Sequence, residues 1–409
     1  MDRVILHSDM NAFFASVECL GRPELQRVPM AVGGSEELRH GVVLAKNQLA
    51  KERGVQTAEP LVRARQKCPE LVVVPPNHEK YSKYSRLARE IYLQYTDRFE
   101  PFGIDEGWLD VTESVRLFGS GEEIAHDIRR RMKNELGLTV SVGVSWNKVF
   151  AKLGSDYKKP DAVAVFSRSN YKEFVYPQPV SNLLYVGRST ANKLSLHGIR
   201  TIGQLAAADP RHLETLLGKW GLMLHDFACG NDNSPVALAD EQSQVKSISN
   251  SITTPRDLVN DDDVKIIFTV LAASVARRLR ERSFYGKMVR IWVRDNTLHS
   301  FSRQCHLANP TCLASELVAA AMSLFRRHYN WSKPIRSLGL GVADLVEQSA
   351  VATQCDIFCT ERERDKKEHL ARAMDEIKDR FGSGSVRPAS LLTDTDLSDF
   401  TPKDDPKLG

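Results

Sequence analysis

Two short apolar runs that each end in carboxylates constrain the fold of this 409-residue chain more than any other feature. The first is Val4-Ile5-Leu6-His7-Ser8-Asp9-Met10, and the second runs from Phe99 to Val111 around the adjacent pair Asp105-Glu106. Both are rich in aliphatic and aromatic residues over the length of a strand and read as strand, then acid, then a bend or second strand. Mg²⁺ prefers hard oxygen ligands, usually one or two carboxylates plus substrate phosphates, so three carboxylates could hold two ions roughly 3.5–4 Å apart. Such a pair stabilises both the attacking and the departing oxygen of a phosphoryl transfer. Taken singly, the same residues read more simply as caps, Asp9 on a following helix and Asp105-Glu106 in a hairpin. Only their combination points to phosphoryl-transfer chemistry.

The length implies two to four domains at about 100–200 residues each. Seven scattered cysteines, an odd number, suit a reducing compartment better than a disulfide framework. Cys305, His306 and Cys312 lack the second half of a zinc pattern. No run approaches the roughly 18 apolar residues of a membrane span, and Met1-Asp2-Arg3 leads straight into a strand, so a cytoplasmic protein with no membrane partner is expected. Net charge is only +4, but from Glu347 onward 14 acidic side chains oppose 10 basic ones, which leaves +8 on the rest. The body of the chain is therefore the part suited to a polyanion.

Three ordered motifs carry a resemblance over nearly the whole chain. Ser8-Asp9-Met10-Asn11-Ala12-Phe13-Phe14-Ala15-Ser16-Val17-Glu18 resembles the opening motif of Y-family DNA polymerases, the translesion polymerase IV/UmuC-like group. Gly103-Ile104-Asp105-Glu106-Gly107-Trp108-Leu109-Asp110 resembles that family's Ser-Ile-Asp-Glu signature, and Ser141 to Leu153, continued through Lys159-Pro160, is similar to its third block. The resemblance implies two Mg²⁺ ions held by Asp9, Asp105, Glu106 and the main-chain carbonyl of Met10, with Lys159 meeting the triphosphate of a dNTP. It also implies that Phe14, next to Phe13, is a steric gate whose ring excludes a ribose 2′-hydroxyl. From the residues alone, Phe13 and Phe14 read more simply as core positions at a helix start, and the gate assignment rests on register with Asp9. Two departures stand out. Gln48 and Lys51 occupy places where the family presents Tyr and Arg to the triphosphate, and Lys lacks the bidentate fork of Arg. Gly103 replaces the signature Ser.

The expected fold class is multidomain α/β, a right-hand polymerase with a ferredoxin-like palm, small fingers, a helical thumb and an α/β little finger. Residues 1–10 and 77–166 would form the palm, with helices Tyr84–Arg98 and Glu122–Glu135 over one face of its sheet, and 11–76 the fingers. Residues 167–238 would form the thumb, where Gly187 and Ser189 sit in a helix-hairpin-helix-like turn that could receive a DNA phosphate, although an ordinary helical turn fits as well. The polar stretch Asn231–Lys246, with Pro235, reads as a linker, bounded at 239–246 where the thumb ends, and would lead to the little finger, 247–346. There the alternation of Met288 to Arg294 puts Val289, Ile291 and Val293 on one side and Arg290 and Arg294 on the other, towards DNA. The run Arg277-Arg278 with Arg280 and Arg282 reads as a solvated helix face. Residues 347–409 would be a flexible tail with an exposed helix at Glu361–Arg380. It also carries Gln354-Cys355-Asp356-Ile357-Phe358, which resembles the peptide that binds the bacterial sliding clamp through Gln354, Ile357 and Phe358. The expected activity is error-prone, template-directed translesion synthesis on primer-template DNA without proofreading, by a monomer. The alternative is a noncatalytic repair adaptor of the same shape.

Overall fold

A computed structural model describes residues 2–34, 39, 41–241, 244–350, 360–382 and 384–398. The chain divides into two compact units, one built mainly from residues 42–242 with the first 34, the other mainly from residues 243–405. The first unit contains strands β1 (Ile5–Met10), β2 (Met30–Gly33), β3 (Val43–Lys46), β4 (Val72–Val74), β5 (Phe99–Pro101), β6 (Glu106–Asp110), β7 (Val140–Ser145) and β8 (Val163–Val165).

The palm sheet has the order β5-β6-β1-β7-β8, with β1 antiparallel to both of its neighbours. Helix His78–Tyr92 lies between β1 and β5, and helix Gly121–Leu136 between β6 and β7. This is the βαββαβ order of a ferredoxin-like fold, with β8 added in parallel beside β7. Leu6, Leu109, Val140 and Val142 face Ile91, Ile124, Ile128 and Met132 in one apolar cluster beneath the two helices. The first helix begins and ends six residues before its expected bounds. Asn77 supplies the reason for the early start, because its side chain accepts the Lys80 amide and caps the helix there.

The other face of the sheet is covered by helix Lys148–Tyr157, whose Asn147 cap accepts from the Phe150 amide and donates to the Gly230 carbonyl. Gly143 permits the contact: a Cβ there would stand 1.9 Å from the Ala151 carbonyl oxygen and 2.4 Å from the Ser155 amide. The helix therefore rests directly on sheet backbone.

The three-stranded fingers sheet, β3-β2-β4, has a small core of its own that includes Ala31, Val43, Ala50, Leu61 and Leu71. Phe13, Ala15, Val17 and Cys19, assigned to the fingers from the sequence, belong instead to the palm cluster, which also takes in Met30, Val32 and Val74. Nor are residues 231–241 the start of a loose linker. Val236 is buried with Ile5, Trp108 and Ala151, the Ala239 amide donates to the Asp97 carbonyl, and Arg3 donates to the Ser234 carbonyl.

In the second unit, β9 (Ser247–Leu258), β10 (Phe284–Asp295), β11 (Ser300–Thr311) and β12 (Ile335–Glu347) pair in the order β11-β10-β12-β9. Val289, Ile291 and Val293 are buried beneath helices Asp261–Glu281 and Ala314–His328. Helix Thr360–Phe381, which falls within the segment expected to be a flexible tail, is docked here. Arg280 holds Asp375 through two hydrogen bonds, at 2.7 and 3.0 Å, Arg277 reaches Asp379 and Tyr285 donates to Glu368, all from helix Thr360–Phe381. Arg277 and Arg280 of the arginine run thus form a docking seam, while Arg278 donates to the Ser249 carbonyl and Arg282 stays exposed. Farther on, Leu391 and Leu397 enter the apolar core, and Arg256 bridges Asp263 and Asp394.

Two outcomes follow from this packing. Gly143→Ala should cost about 1–3 kcal/mol through overpacking against helix backbone that cannot yield cheaply, read as a fall in the urea midpoint. Asp394 is held below the usual carboxylate range by its bond from Arg256; Asp263 is also held low, because that arginine outweighs the upward push of burial. Their stabilisation is complete above the ordinary carboxylate pKa and is lost as pH falls through the lower folded values. Amide protection factors in residues 389–398, taken against the intrinsic exchange rate at each pH, should therefore fall below about pH 4, and Arg256→Ala should lower them in the same way at neutral pH.

Candidate active site

The antiparallel register sets Asp9 directly opposite Glu106 on one side and Ser141 on the other. Side chains at directly opposed positions share a sheet face, so the β1 and β6 acids meet on the side covered by helix Lys148–Tyr157. The turn before β6 is closed by the Phe102 amide donating to the Glu106 carbonyl, and the Met10 amide donates to the Asp105 carbonyl. These bonds bring Asp105 to the end of β1. A Cβ at Gly103 would lie 3.4 Å from Asp105 Oδ1, so the missing signature hydroxyl would have stood beside this carboxylate.

Each acid of the opposed pair has its own ammonium. Lys159 Nζ lies 2.6 Å from Asp9 Oδ2 and 2.7 Å from Asp156 Oδ1, and Lys152 Nζ lies 2.6 Å from Glu106 Oε2. Burial still pushes Asp9 up to about 6, with Lys159 opposing the shift and the Glu106 carboxylate adding to it. Burial and the charge of Asp9 raise Asp105 as well. Clustered carboxylates whose ionised forms are disfavoured in this way suit hard cations, which would relieve the repulsion. Among the described residues, no three carboxylate, imidazole or thiolate groups form a ready-made cage. Mg²⁺ does not need one, because it is commonly held by one or two carboxylates and completed by substrate phosphate and water.

His7, fully buried two residues before Asp9, was missed by the sequence reading. Its Nδ1 is 2.8 Å from Ser155 Oγ, and that hydroxyl already donates to the Lys152 carbonyl. Ser155 must then accept, so Nδ1 carries the proton and Nε2 presents a bare lone pair 3.6 Å from Glu106 Oε2. Burial, together with the charges of Lys152 and Lys159, holds the imidazole pKa well below its usual value. This contact is therefore not an ion pair. Its only sequence signal is a polar residue on the buried side of an alternating strand.

Asp9, Met10, Asp105, Glu106 and Lys159 share a cavity of about 800 Å³ with Phe13, Phe14, Gln48 and Lys51. The Phe14 ring stacks on Tyr81 at 4.1 Å and 13°, and the Tyr81 hydroxyl donates to the buried carboxylate of Glu18 at 2.8 Å. Phe13 is buried beside it. Gln48 and Lys51 lie on the short helix Gln48–Glu52, where Gln48 donates to Glu52. Asn47 fixes that helix: its side-chain oxygen accepts from the amides of Ala50 and Met30, and its amide group donates to the carbonyls of Leu25 and Val28. Asn11 braces the opposite wall by accepting from the Asp161 amide and donating to Ser141.

The remaining expected residues lie elsewhere. Gly187 begins helix Arg188–Leu196 with no side-chain cap, and Ser189 is exposed on its first turn. In the second unit, Arg290 is exposed and donates to Ser302, while Arg294 lies over the Trp292 ring at 4.8 Å. Gln354, Ile357 and Phe358 lie outside the described residues.

Residues 8–156 match the impB/mucB/samB family and residues 245–356 its C-terminal domain. A DNA polymerase IV of Acetivibrio thermocellus is 52% identical over 97% of this chain and 100% of its own length. A DNA polymerase IV of Desulfatibacillum aliphaticivorans is 38% identical, covering 96% of this chain and 98% of that protein. The fold matches the solved Y-family DNA polymerase chimera Dbh-Dpo4(243-245)-Dbh with a TM-score of 0.74 at 23% identity, over 84% of this chain and 99% of that one. Together with the paired carboxylates of β1 and β6, these likenesses establish that the chain belongs to the impB/mucB/samB family, the polymerase IV-like group of Y-family DNA polymerases.

Proposed function

We propose that this chain is a template-directed DNA polymerase that carries out error-prone translesion synthesis by adding deoxynucleotides to a primer. The observation that carries this reading is the placement of Asp9 opposite Glu106 at one end of a cavity that also contains Lys159, Phe14 and Lys51. Family membership brings a general dependence on divalent metal, and template DNA and dNTPs are the substrates.

Asp9, Asp105, Glu106 and the carbonyl of Met10 would hold two Mg²⁺ ions. When bound, such ions lower the pKa of a primer 3′-hydroxyl and offset charge on departing pyrophosphate. Lys159, supported by Asp156, offers an ammonium to the triphosphate, and Lys51 and Gln48 face the cavity from the fingers. The stack on Tyr81 gives Phe14 the rigidity that a volume-excluding gate against a 2′-hydroxyl needs. Gly187 and Ser189, and separately Arg290 and Arg294, would contact phosphates of the DNA and so bind without sequence preference. Gln354, Ile357 and Phe358 would dock a bacterial sliding clamp, supplying processivity to a cytoplasmic monomer that grips DNA loosely. The adaptor alternative gains no support from a cavity that keeps all three carboxylates and Lys159.

Primer extension with Mg²⁺ and all four dNTPs tests the reading. The native chain should extend a recessed primer, and Asp105→Ala/Glu106→Ala should lower the rate by at least about 10³-fold while binding the same duplex. Duplex binding without extension by the native chain would favour the adaptor. Phe14→Ala should raise ribonucleotide incorporation relative to deoxynucleotide by roughly 10–100-fold, read from single-nucleotide insertion rates.

A further inference from the structure

Lys46, the last residue of β3, lines the cavity next to Gln48 and Lys51 and has been given no role so far. Its ammonium donates to Thr57 Oγ1 at 2.9 Å, which engages one of its three donors. Among the described residues it makes no ion pair, and neither does Lys51. The acid that could have served, Glu59, is committed elsewhere: it holds Lys67 at 2.6 Å and accepts from the Gln56 amide at 2.7 Å. Burial, with the charge of Lys51 adding to it and the charge of Glu59 only partly opposing it, holds the Lys46 pKa below its usual value, so the two ammoniums are close enough to repel.

A lysine that only braced the Thr57 turn would not need to stand beside a second cation. Two half-paired ammoniums at the edge of a cavity are a local cost, and a polyanion would reverse it. Opposite them, at the carboxylate end, Lys159 supplies a third ammonium. The polyanion that the proposed function brings to this cavity is the triphosphate of a dNTP, which leaves as pyrophosphate. The two fingers lysines also address the departure noted in the sequence, where Lys51 stands in place of an arginine fork. One ammonium cannot reproduce two parallel N–H donors, but two ammoniums, one at the end of β3 and one on the helix that follows it, can supply both charge and donors.

We infer that Lys46 is a triphosphate-binding residue, oriented by Thr57 and acting together with Lys51 in place of a single arginine. The inference rests on the reading of this cavity as a dNTP site. Contact would be with phosphate oxygens, so it is indifferent to the base. Thr57 is a positioning residue that reaches the nucleotide only through Lys46.

Equilibrium binding of each dNTP to the full chain on a dideoxy-terminated primer-template, where no bond can form, tests the inference without turnover. Lys46→Ala should raise the Kd of all four dNTPs by about tenfold or more and weaken competition by inorganic tripolyphosphate by the same factor. Duplex affinity should stay unchanged. Thr57→Val, which keeps the charge, should give a smaller rise in the same direction, and Lys46→Arg should recover most of the loss. An unchanged Kd for dNTPs and tripolyphosphate in a folded Lys46→Ala protein would overturn the inference, as would an effect confined to one base or to duplex binding. If the native chain bound duplex but neither dNTP nor tripolyphosphate, the dNTP-site reading itself would fall and this inference with it.

Discussion

Asp9 lies directly across from Glu106 in the β1–β6 pair, and the chemistry of the cavity depends on that one register. Because side chains alternate along a strand, a slip by one residue would send Asp9 and His7 to the apolar face and bring Leu6 and Ser8 to the cavity. The register is held from both sides, since β1 is paired along its length with β6 and with β7. Gly143, opposite His7 on β7, then lets helix Lys148–Tyr157 descend onto the sheet backbone. Only at that distance can Lys152 reach Glu106 and Ser155 reach His7. A missing side chain on one strand therefore positions two polar side chains from a helix above it.

The electrostatics of the cavity follow from this close packing. Burial disfavours ionised Asp9 and Asp105, and two lysines from the helix and the loop beyond it partly offset the cost. Burial, with the charges of the same lysines adding to it, keeps His7 neutral, so the imidazole adds no third positive charge beneath the carboxylates. The site thus keeps a strong demand for external cations at its carboxylates, while Lys46 and Lys51, which line the same cavity, make no ion pair among the described residues. A nucleotide triphosphate accompanied by divalent metal meets both demands at once.

The carboxylates, Phe14 and Lys159 were legible in the sequence because each lies within a local motif whose spacing survives without knowledge of the fold. The α/β class was legible for a related reason, since strand and helix runs alternate from Val4 to Val165, whereas the ferredoxin-like palm followed from the family resemblance. What escaped depends on partners distant along the chain. His7 takes its meaning from Ser155, 148 residues away, and the arginine run from Asp375, 95 residues beyond Arg280. Polar, highly charged composition made helix Thr360–Phe381 look solvent-exposed, but its acids face arginines that the sequence places in another element. Residues 231–241 read as linker because their contacts are mostly main-chain bonds, which composition does not report. Lys46 has no motif to mark it, and its place beside Lys51 appears only once the strand end and the helix are folded against the cavity.

The stack of Phe14 on Tyr81 carries a consequence for how such an enzyme can change. Tyr81 is itself fixed by the buried carboxylate of Glu18, and Glu18 is balanced by Arg22 at 2.6 Å and Lys80 at 3.8 Å. The firmness of the Phe14 ring is thus set by a chain of contacts that ends in surface-reaching cations outside the cavity. In the gate role proposed for that ring, choice between ribose and deoxyribose would be open to drift at positions that never meet a nucleotide. Lineages with identical cavity residues could differ in sugar discrimination, the difference being inherited through a hydrogen-bonded acid on the far side of an aromatic pair.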